Sequence, residues 1–343
     1  SLFPKLLMNS LFFLLNILHD YYNGVNTVIM NVQYKLRDYK EMPLIIGTRG
    51  SPLAVAQAKE TRNRLMIAHG LPETAFIIKI IQTTGDLVQD RPLSEIGGKG
   101  LFTFEIEESL ANGSIDIAVH SMKDMPTVLP DGLIISTILE REDVRDSFVS
   151  RKFNSIRELP NGCTVGTSSL RRRAQLLVRR PDLNIVEFRG NVQTRLRKLD
   201  EGVAEATFLA SAGLSRLNLK DLINPVEVSE MLPAVAQGAI GIEQKSNNEQ
   251  IWDFLKPIHH RKTEIQLLVE RSFLSELDGS CRTPIAGFAD VVEDKITFYG
   301  EILKTDGSLN FKDKWSGDVS EAVTIGRNAG KILKEKGGED FFK

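Results

Sequence analysis

Four times along this chain a short apolar, β-branched run gives way to glycine and hydroxyl residues and then to the start of a helix. Leu44-Ile45-Ile46-Gly47 runs into Thr48-Arg49-Gly50-Ser51-Pro52, and Cys163-Thr164-Val165-Gly166 into Thr167-Ser168-Ser169-Leu170. Ile185-Val186-Glu187-Phe188 runs into Arg189-Gly190-Asn191, and Thr207-Phe208-Leu209-Ala210 into Ser211-Ala212-Gly213. Runs of that length and composition read as buried strands. Ser51 before Pro52 reads as an N-cap followed by a first helical residue. Repeated strand-to-helix units constrain the chain to an α/β fold, whose ligand crevices open at the C-terminal ends of the strands.

The 343 residues suffice for two or three domains. Arg141-Glu142-Asp143-Val144-Arg145-Asp146 reads as a charged crossing and hinge, and the glycine-rich Pro233–Glu243 stretch as the return to the first domain. The expected limits are 43–140 with 237–257 for domain 1, 141–236 for domain 2 and 258–343 for domain 3. A charged helical tract over 248–277, a strand at Lys295–Glu301 and a helix at Ser320–Lys336 make the last of these a small α+β domain. Residues 1–42 read differently. Their apolar run Leu11–Leu18 lacks a small-residue cleavage site and is too short to span a bilayer. They are expected to lie outside the fold, the alternative being a targeting or membrane-contact segment.

The candidate chemistry centres on His120-Ser121-Met122-Lys123-Asp124-Met125-Pro126, which follows the apolar strand Ile115–Val119. That places Lys123 and Asp124 just past a strand's C-terminal end, where a carboxylate beside an ammonium can face a cationic intermediate. The alternative is that Asp124 caps a turn and Lys123 is a solvated charge. Arginines recur at the same topological place: Arg49, Arg171, Arg172, Arg189, Arg195 and Arg216 all lie near strand-to-helix junctions. Between residues 171 and 198 nine Arg or Lys face two acids, Asp182 and Glu187. Guanidinium forks in that number suit several carboxylates or phosphates. Gly97-Gly98-Lys99-Gly100-Leu101-Phe102 reads as a loop that can bring Lys99 and Phe102 over a site, or as a mere helix-entry turn.

A formal net charge of −2 excludes a basic overall field for nucleic acid, leaving only a local cluster. Cys163 and Cys281 are far apart and belong to no CxxC, so neither a disulfide framework nor a zinc site is expected, and a reducing compartment fits. Cys163 sits inside a strand and reads as buried. Cys281, in Gly279-Ser280-Cys281-Arg282-Thr283-Pro284, reads as a modifiable loop thiol. The five histidines form no metal constellation.

Taken in order, Thr48–Ala54, Gly97–Phe102, His120–Asp124, Gly166–Arg172, Arg189-Gly190-Asn191, Ala210–Leu214 and Gln237-Gly238 closely resemble the signatures of the porphobilinogen deaminase (hydroxymethylbilane synthase) family over about residues 43–300. The resemblance implies two periplasmic-binding-protein-like (type II) α/β domains plus a small C-terminal α+β domain. It implies a transferase of haem and tetrapyrrole biosynthesis that joins four porphobilinogen molecules, with loss of ammonia, and releases linear hydroxymethylbilane. A dipyrromethane cofactor would be thioether-linked to Cys281, and Asp124 would be catalytic. Arg49, Ser51, Asp86, Lys99, Phe102, Lys123, Thr167, Ser169, Arg171, Arg172, Arg189, Arg195, Arg216 and Gln237 would bind cofactor and substrate, with no metal. A cytoplasmic monomer with no nucleic-acid partner and no stable membrane insertion is expected. Two departures stand out: Thr84 occupies a place where many members have Arg, and the cysteine loop reads Gly279-Ser280-Cys281-Arg282-Thr283-Pro284 where members commonly have Gly-Gly-Cys, or Gly-Ser-Cys with a different follow-on. The rival class is a two-domain anion-binding receptor or sensor, which would need neither Asp124 nor a loop cysteine.

Overall fold

The computed structural model describes residues 42–87, 103–278, 283–338 and 341–342, with the side chains of Asp86 and Leu87 left aside. The 1–42 extension (save Met42), Lys99, Phe102, Cys281 and the Asp86 side chain therefore lie outside the described residues.

Three sheets organise the chain. The first contains β1 (Leu44–Arg49), β2 (Phe76–Ile81), β3 (Ile117–Ser121), β4 (Leu133–Ile138) and β9 (Ile240–Lys245), in the order β2-β1-β3-β9-β4. The second contains β5 (Asp146–Ser150), β6 (Thr164–Gly166), β7 (Asn184–Val186) and β8 (Ala206–Ala210), in the order β5-β8-β6-β7. In each, three strands run parallel: β2, β1 and β3 in one, β7, β6 and β8 in the other. In each, the strand laid down just after the chain enters from the other sheet is antiparallel to its neighbours, namely β9 and β5. This reciprocal exchange is the two-domain type II binding-protein arrangement. It makes the crossings at 139–145 and 234–239 adjacent by construction.

Helices cover the sheets. They are α1 (Pro52–His69), the single turn α2 (Thr84–Leu87), α3 (Phe104–Ala111), α4 (Leu170–Arg179), α5 (Val192–Asp200) and α6 (Ser211–Arg216). The charged, helix-forming tract over 248–277 is divided at Lys256-Pro257 into α7 (Glu249–Leu255) and α8 (Arg261–Glu276), because proline donates no N–H and clashes with the preceding turn. The third sheet is an antiparallel meander of β10 (Ile285–Val292), β11 (Lys295–Leu303) and β12 (Asn310–Asp318), backed by α8 and by α9 (Ala322–Gly337). β12, Asn-Phe-Lys-Asp-Lys-Trp-Ser-Gly-Asp, carries charges on an edge, which protects it from pairing with another chain. Among the described residues no helix is long and apolar enough to cross a membrane.

The crossings are stitched together by a buried carboxylate. Glu270 of α8 takes both Nη atoms of Arg141, at 2.7 and 2.9 Å, and also accepts from Ala236 N and Ala289 N at 2.6 and 2.9 Å. One side chain thereby ties the outgoing crossing, the returning crossing and β10. Next to it, Gly238 has φ +87°, and a Cβ there would lie 2.6 Å from Glu142 O on the opposite crossing. Gly238→Ala is therefore expected to destabilise the protein by about 1–3 kcal/mol through strain and clash. Gly202→Ala, with φ +74° but nothing within 4 Å of its Cβ, should cost less. Urea unfolding of the two variants measures the difference.

Candidate active site

β3 ends at Ser121 and tightens into a single 3₁₀ turn, Met122–Asp124. Met122 and Met125 are 2% and 4% exposed and pack into the same core as Phe273 of α8 and Phe298 of β11. These two methionines pin the turn from beneath. Asp124 between them is exposed and lines a small cavity of about 60 Å³ with Arg49, Ser51, Gln57, Thr103 and His120. No hydrogen bond holds the Asp124 carboxylate among the described residues, and no side chain caps the turn, so the capping alternative fails. Ser51 caps α1 by accepting from Ala54 N at 3.2 Å, which aims the first N–H groups of that helix at the same opening.

Lys123 is half-buried. Burial pushes its ammonium below the usual lysine range, Asp124 pushes it back up, and Arg172 lowers it again. The turn of the first sheet is thus electrostatically in touch with the arginines of the second.

Those arginines do not all present free forks. Arg171 donates Nη2 to Asp146 Oδ2 at 2.8 Å and Nη1 to Leu232 O at 2.9 Å. Arg172 donates Nε and Nη2 to Asp146 Oδ1 at 3.1 and 2.6 Å, and Nη1 to Phe208 O at 2.8 Å. Gln237 is buried as well and donates Nε2 to Val144 O and Asp146 Oδ1 at 2.8 and 3.0 Å. Three residues expected to contact cofactor and substrate thus converge on one internal carboxylate at the start of β5. Sequence reasoning passed over Asp146 because it looked like one more charge in a crossing. The paired arginines outweigh its burial and hold Asp146 well below the usual carboxylate range. Its contribution to stability is therefore present above the ordinary aspartate pKa and is lost only as pH falls through the depressed folded-state value. Asp146→Asn leaves two buried guanidiniums without a counter-ion, and a loss of about 3–5 kcal/mol is expected in urea unfolding near neutral pH.

Arg216 on α6 reaches across to the first sheet's α1, donating Nε to Glu60 Oε2 at 2.9 Å and Nη2 to Gly238 O at 3.1 Å. Thr167 and Ser169 shape the start of α4: Thr167 Oγ1 accepts from Ser169 N at 3.1 Å, and Ser169 Oγ accepts from Arg172 N at 3.4 Å. Arg189 and Arg195 keep donors without partners among the described residues. Arg195 gives Nε to Gly190 O at 2.9 Å and is pushed down to about 10, first by burial, then by Arg172 and Arg189. Arg189 Nη1 and Arg171 Nε are buried with no partner among the described residues.

His120, in the stretch that the sequence singled out, meets two glutamates that the sequence did not flag. His120 Nε2 sits 2.9 Å from Glu243 Oε2, and Glu107 beside them is pushed up by burial and by Glu243. A glutamate inside the apolar strand Ile240–Lys245 was the available signal. At the first departure from the family pattern, Thr84 N donates to Glu105 Oε1 at 2.8 Å, joining α2 to α3.

The cavity, the half-buried Lys123, the crowded Arg195 and the orphaned guanidinium atoms amount to positive charge without enough protein anions. A dipyrromethane, with an acetate and a propionate on each of its two rings, supplies that deficit, so the residues present fit it.

Sequence comparison agrees. The family model described as "Porphobilinogen deaminase, dipyromethane cofactor binding domain" matches residues 44–253, and "Porphobilinogen deaminase, C-terminal domain" matches 265–335. A porphobilinogen deaminase of Paracoccus denitrificans (strain Pd 1222) is 56% identical over 301 residues, covering 88% of this chain and 96% of that one. One from Nitrobacter hamburgensis is 52% identical over 298 residues, covering 87% and 94%. Among solved structures, the second substrate-binding domain of a putative amino acid ABC transporter from Streptococcus pneumoniae aligns at 15% identity with a TM-score of 0.40, covering 63% and 91%. The two family models and the two high-identity relatives place the chain in the porphobilinogen deaminase family.

Proposed function

We propose that Asp124 is the catalytic carboxylate and Cys281 the cofactor attachment point of a hydroxymethylbilane synthase. The observation that carries this is the placement of Asp124: a carboxylate with no hydrogen-bond partner among the described residues, pinned from below by Met122 and Met125, at a cavity shared with Arg49 and Ser51.

The enzyme is a transferase that condenses four porphobilinogen molecules and releases linear hydroxymethylbilane. Bound dipyrromethane supplies the primer pyrrole whose free α-carbon is the nucleophile. Loss of ammonia from porphobilinogen leaves an electron-poor azafulvene. A fixed negative charge at its pyrrole N–H stabilises the positive charge that develops there, and Asp124 is positioned to supply that charge. The same carboxylate can accept the α-proton released when each new bond forms. Lys123, Arg49, Arg189 and Arg195 hold acetate and propionate groups, with Ser51, Thr167 and Ser169 adding hydroxyl or N–H donors. Asp86 of α2 and Lys99 and Phe102 from the segment between α2 and α3 complete the set. Arg171, Arg172, Arg216 and Gln237 act on ligand through the crossings that they lock, with the free Nε of Arg171 the exception. The working division is 43–140 with 237–257, 141–236 and 258–343, in a cytoplasmic monomer.

Intact-mass measurement during limited addition of porphobilinogen tests the reading. The protein should appear above its sequence mass by one dipyrromethane and then climb in steps of one deaminated porphobilinogen. A protein that stays at its sequence mass while binding porphobilinogen reversibly would favour the receptor reading instead.

A further inference from the structure

Against Met122 of the catalytic turn, between β4 and helices α8 and α9, lies a second cavity of about 270 Å³. Met122, Ile135, Ile138 and Leu267 give it apolar walls. At its rim stand two guanidiniums, Arg271 of α8 and Arg327 of α9. Arg271 donates Nη1 to Met125 O at 3.3 Å and Nη2 to Pro126 O at 2.6 Å, and no carboxylate partners it among the described residues. Burial pushes this guanidinium below the usual arginine range. The carboxylate in the lining, Glu264, is already engaged by His259, at 3.2 Å, and by Arg261. The cavity therefore offers uncompensated positive charge over an apolar floor. Its volume sits just below the usual range for small-molecule sites, enough for one substituted ring with a short acidic arm. A guanidinium fork favours a planar carboxylate.

The geometry points to a second ligand site for a small amphipathic monocarboxylate, whose occupancy is transmitted to the catalytic turn by Arg271. The carbonyls that Arg271 grips belong to the two residues directly after Asp124. A carboxylate that competes for the fork weakens that grip and loosens the turn. The first half of the inference is independent of the catalytic assignment; the second rests on Asp124 being the catalytic group.

The test uses the full-length, cofactor-bearing enzyme with 4-fluorophenylacetate as probe and its neutral amide as control, followed by ligand-observed fluorine NMR. Saturable binding of the acid is expected, at least tenfold tighter than the amide and not displaced by porphobilinogen. Arg327→Ala, at an exposed position, should weaken the acid at least fivefold with wild-type melting and turnover. Arg271→Lys, which keeps charge but loses the fork, should weaken it as well. Turnover should fall as the acid saturates, with KM for porphobilinogen unchanged. Absence of saturable binding, equal affinity for acid and amide, displacement by porphobilinogen, or affinity untouched by both arginine variants overturns the site. Saturation of the acid with turnover unchanged overturns the coupling, whatever the fate of the Asp124 assignment.

Discussion

Cys281→Ser is expected to abolish the covalent adduct and nearly all turnover, while Cys163→Ala keeps both. A thioether requires a nucleophilic thiol, and the thiolate is the reactive form. Cys163 cannot substitute. It is packed among Val165, Leu176 and Phe208 at the core of the second sheet, and burial, helped by nearby Glu205, pushes its thiol up and away from thiolate. Cys281 belongs to the connection between the end of α8 and the start of β10. That connection departs from Asp278, whose carboxylate takes Lys334 Nζ at 2.9 Å. Attachment there would tether the cofactor to the third domain while its carboxylates are held by the first two. The readout is intact mass together with hydroxymethylbilane formation. An active, adduct-bearing Cys281→Ser protein would remove the attachment assignment, and an adduct-free Cys163→Ala protein would move it to the other cysteine.

Asp124→Asn is expected to slow single-turnover incorporation of porphobilinogen by at least ~10²–10³, the usual loss when one preorganised charge-stabilising group is removed. Asparagine keeps shape and hydrogen-bonding capacity but not charge. Asp124→Glu keeps the charge but misplaces it, and should retain more activity. Folding should be untouched in both, because the turn is held by Met122 and Met125 and by Arg271 on the carbonyls of 125 and 126, not by the Asp124 side chain. A small change in melting temperature beside a large rate loss is therefore the diagnostic pattern. Cofactor attachment can survive in either variant, since preformed tetrapyrrole can load onto the cysteine and leave the protein stalled. If Asn incorporates porphobilinogen at the wild-type rate, the carboxylate at the end of β3 has no part in the chemistry.

The contrast between these two positions and Arg171, Arg172 and Gln237 separates what local sequence carries from what it does not. The strands β1, β3, β6 and β8 were legible because their apolar, β-branched runs are local, and after β1 and β6 they lead into residues that cap helices. Ser51 and Ser169 do cap α1 and α4. The position of Asp124 followed from the same rule, since a strand's C-terminal end is fixed once the strand is. The break at Lys256-Pro257 was also written locally, in the proline. The charged edge strand β12 was hidden, because its alternation is masked by charges on an edge that faces water. The destinations of buried charges were hidden more deeply. Arg171 and Gln237 meet Asp146 across 25 and 91 residues, Arg141 meets Glu270 across 129, and Arg216 meets Glu60 across 156. By itself the sequence determined that arginines would stand near strand-to-helix junctions and that Asp124 would sit just past the end of β3. Only the tertiary structure decided which arginines keep unpartnered donors among the described residues and which are consumed in locking the two crossings. A buried fork pairs with whatever carboxylate the topology brings within about 3 Å, and no spacing along the chain encodes that distance.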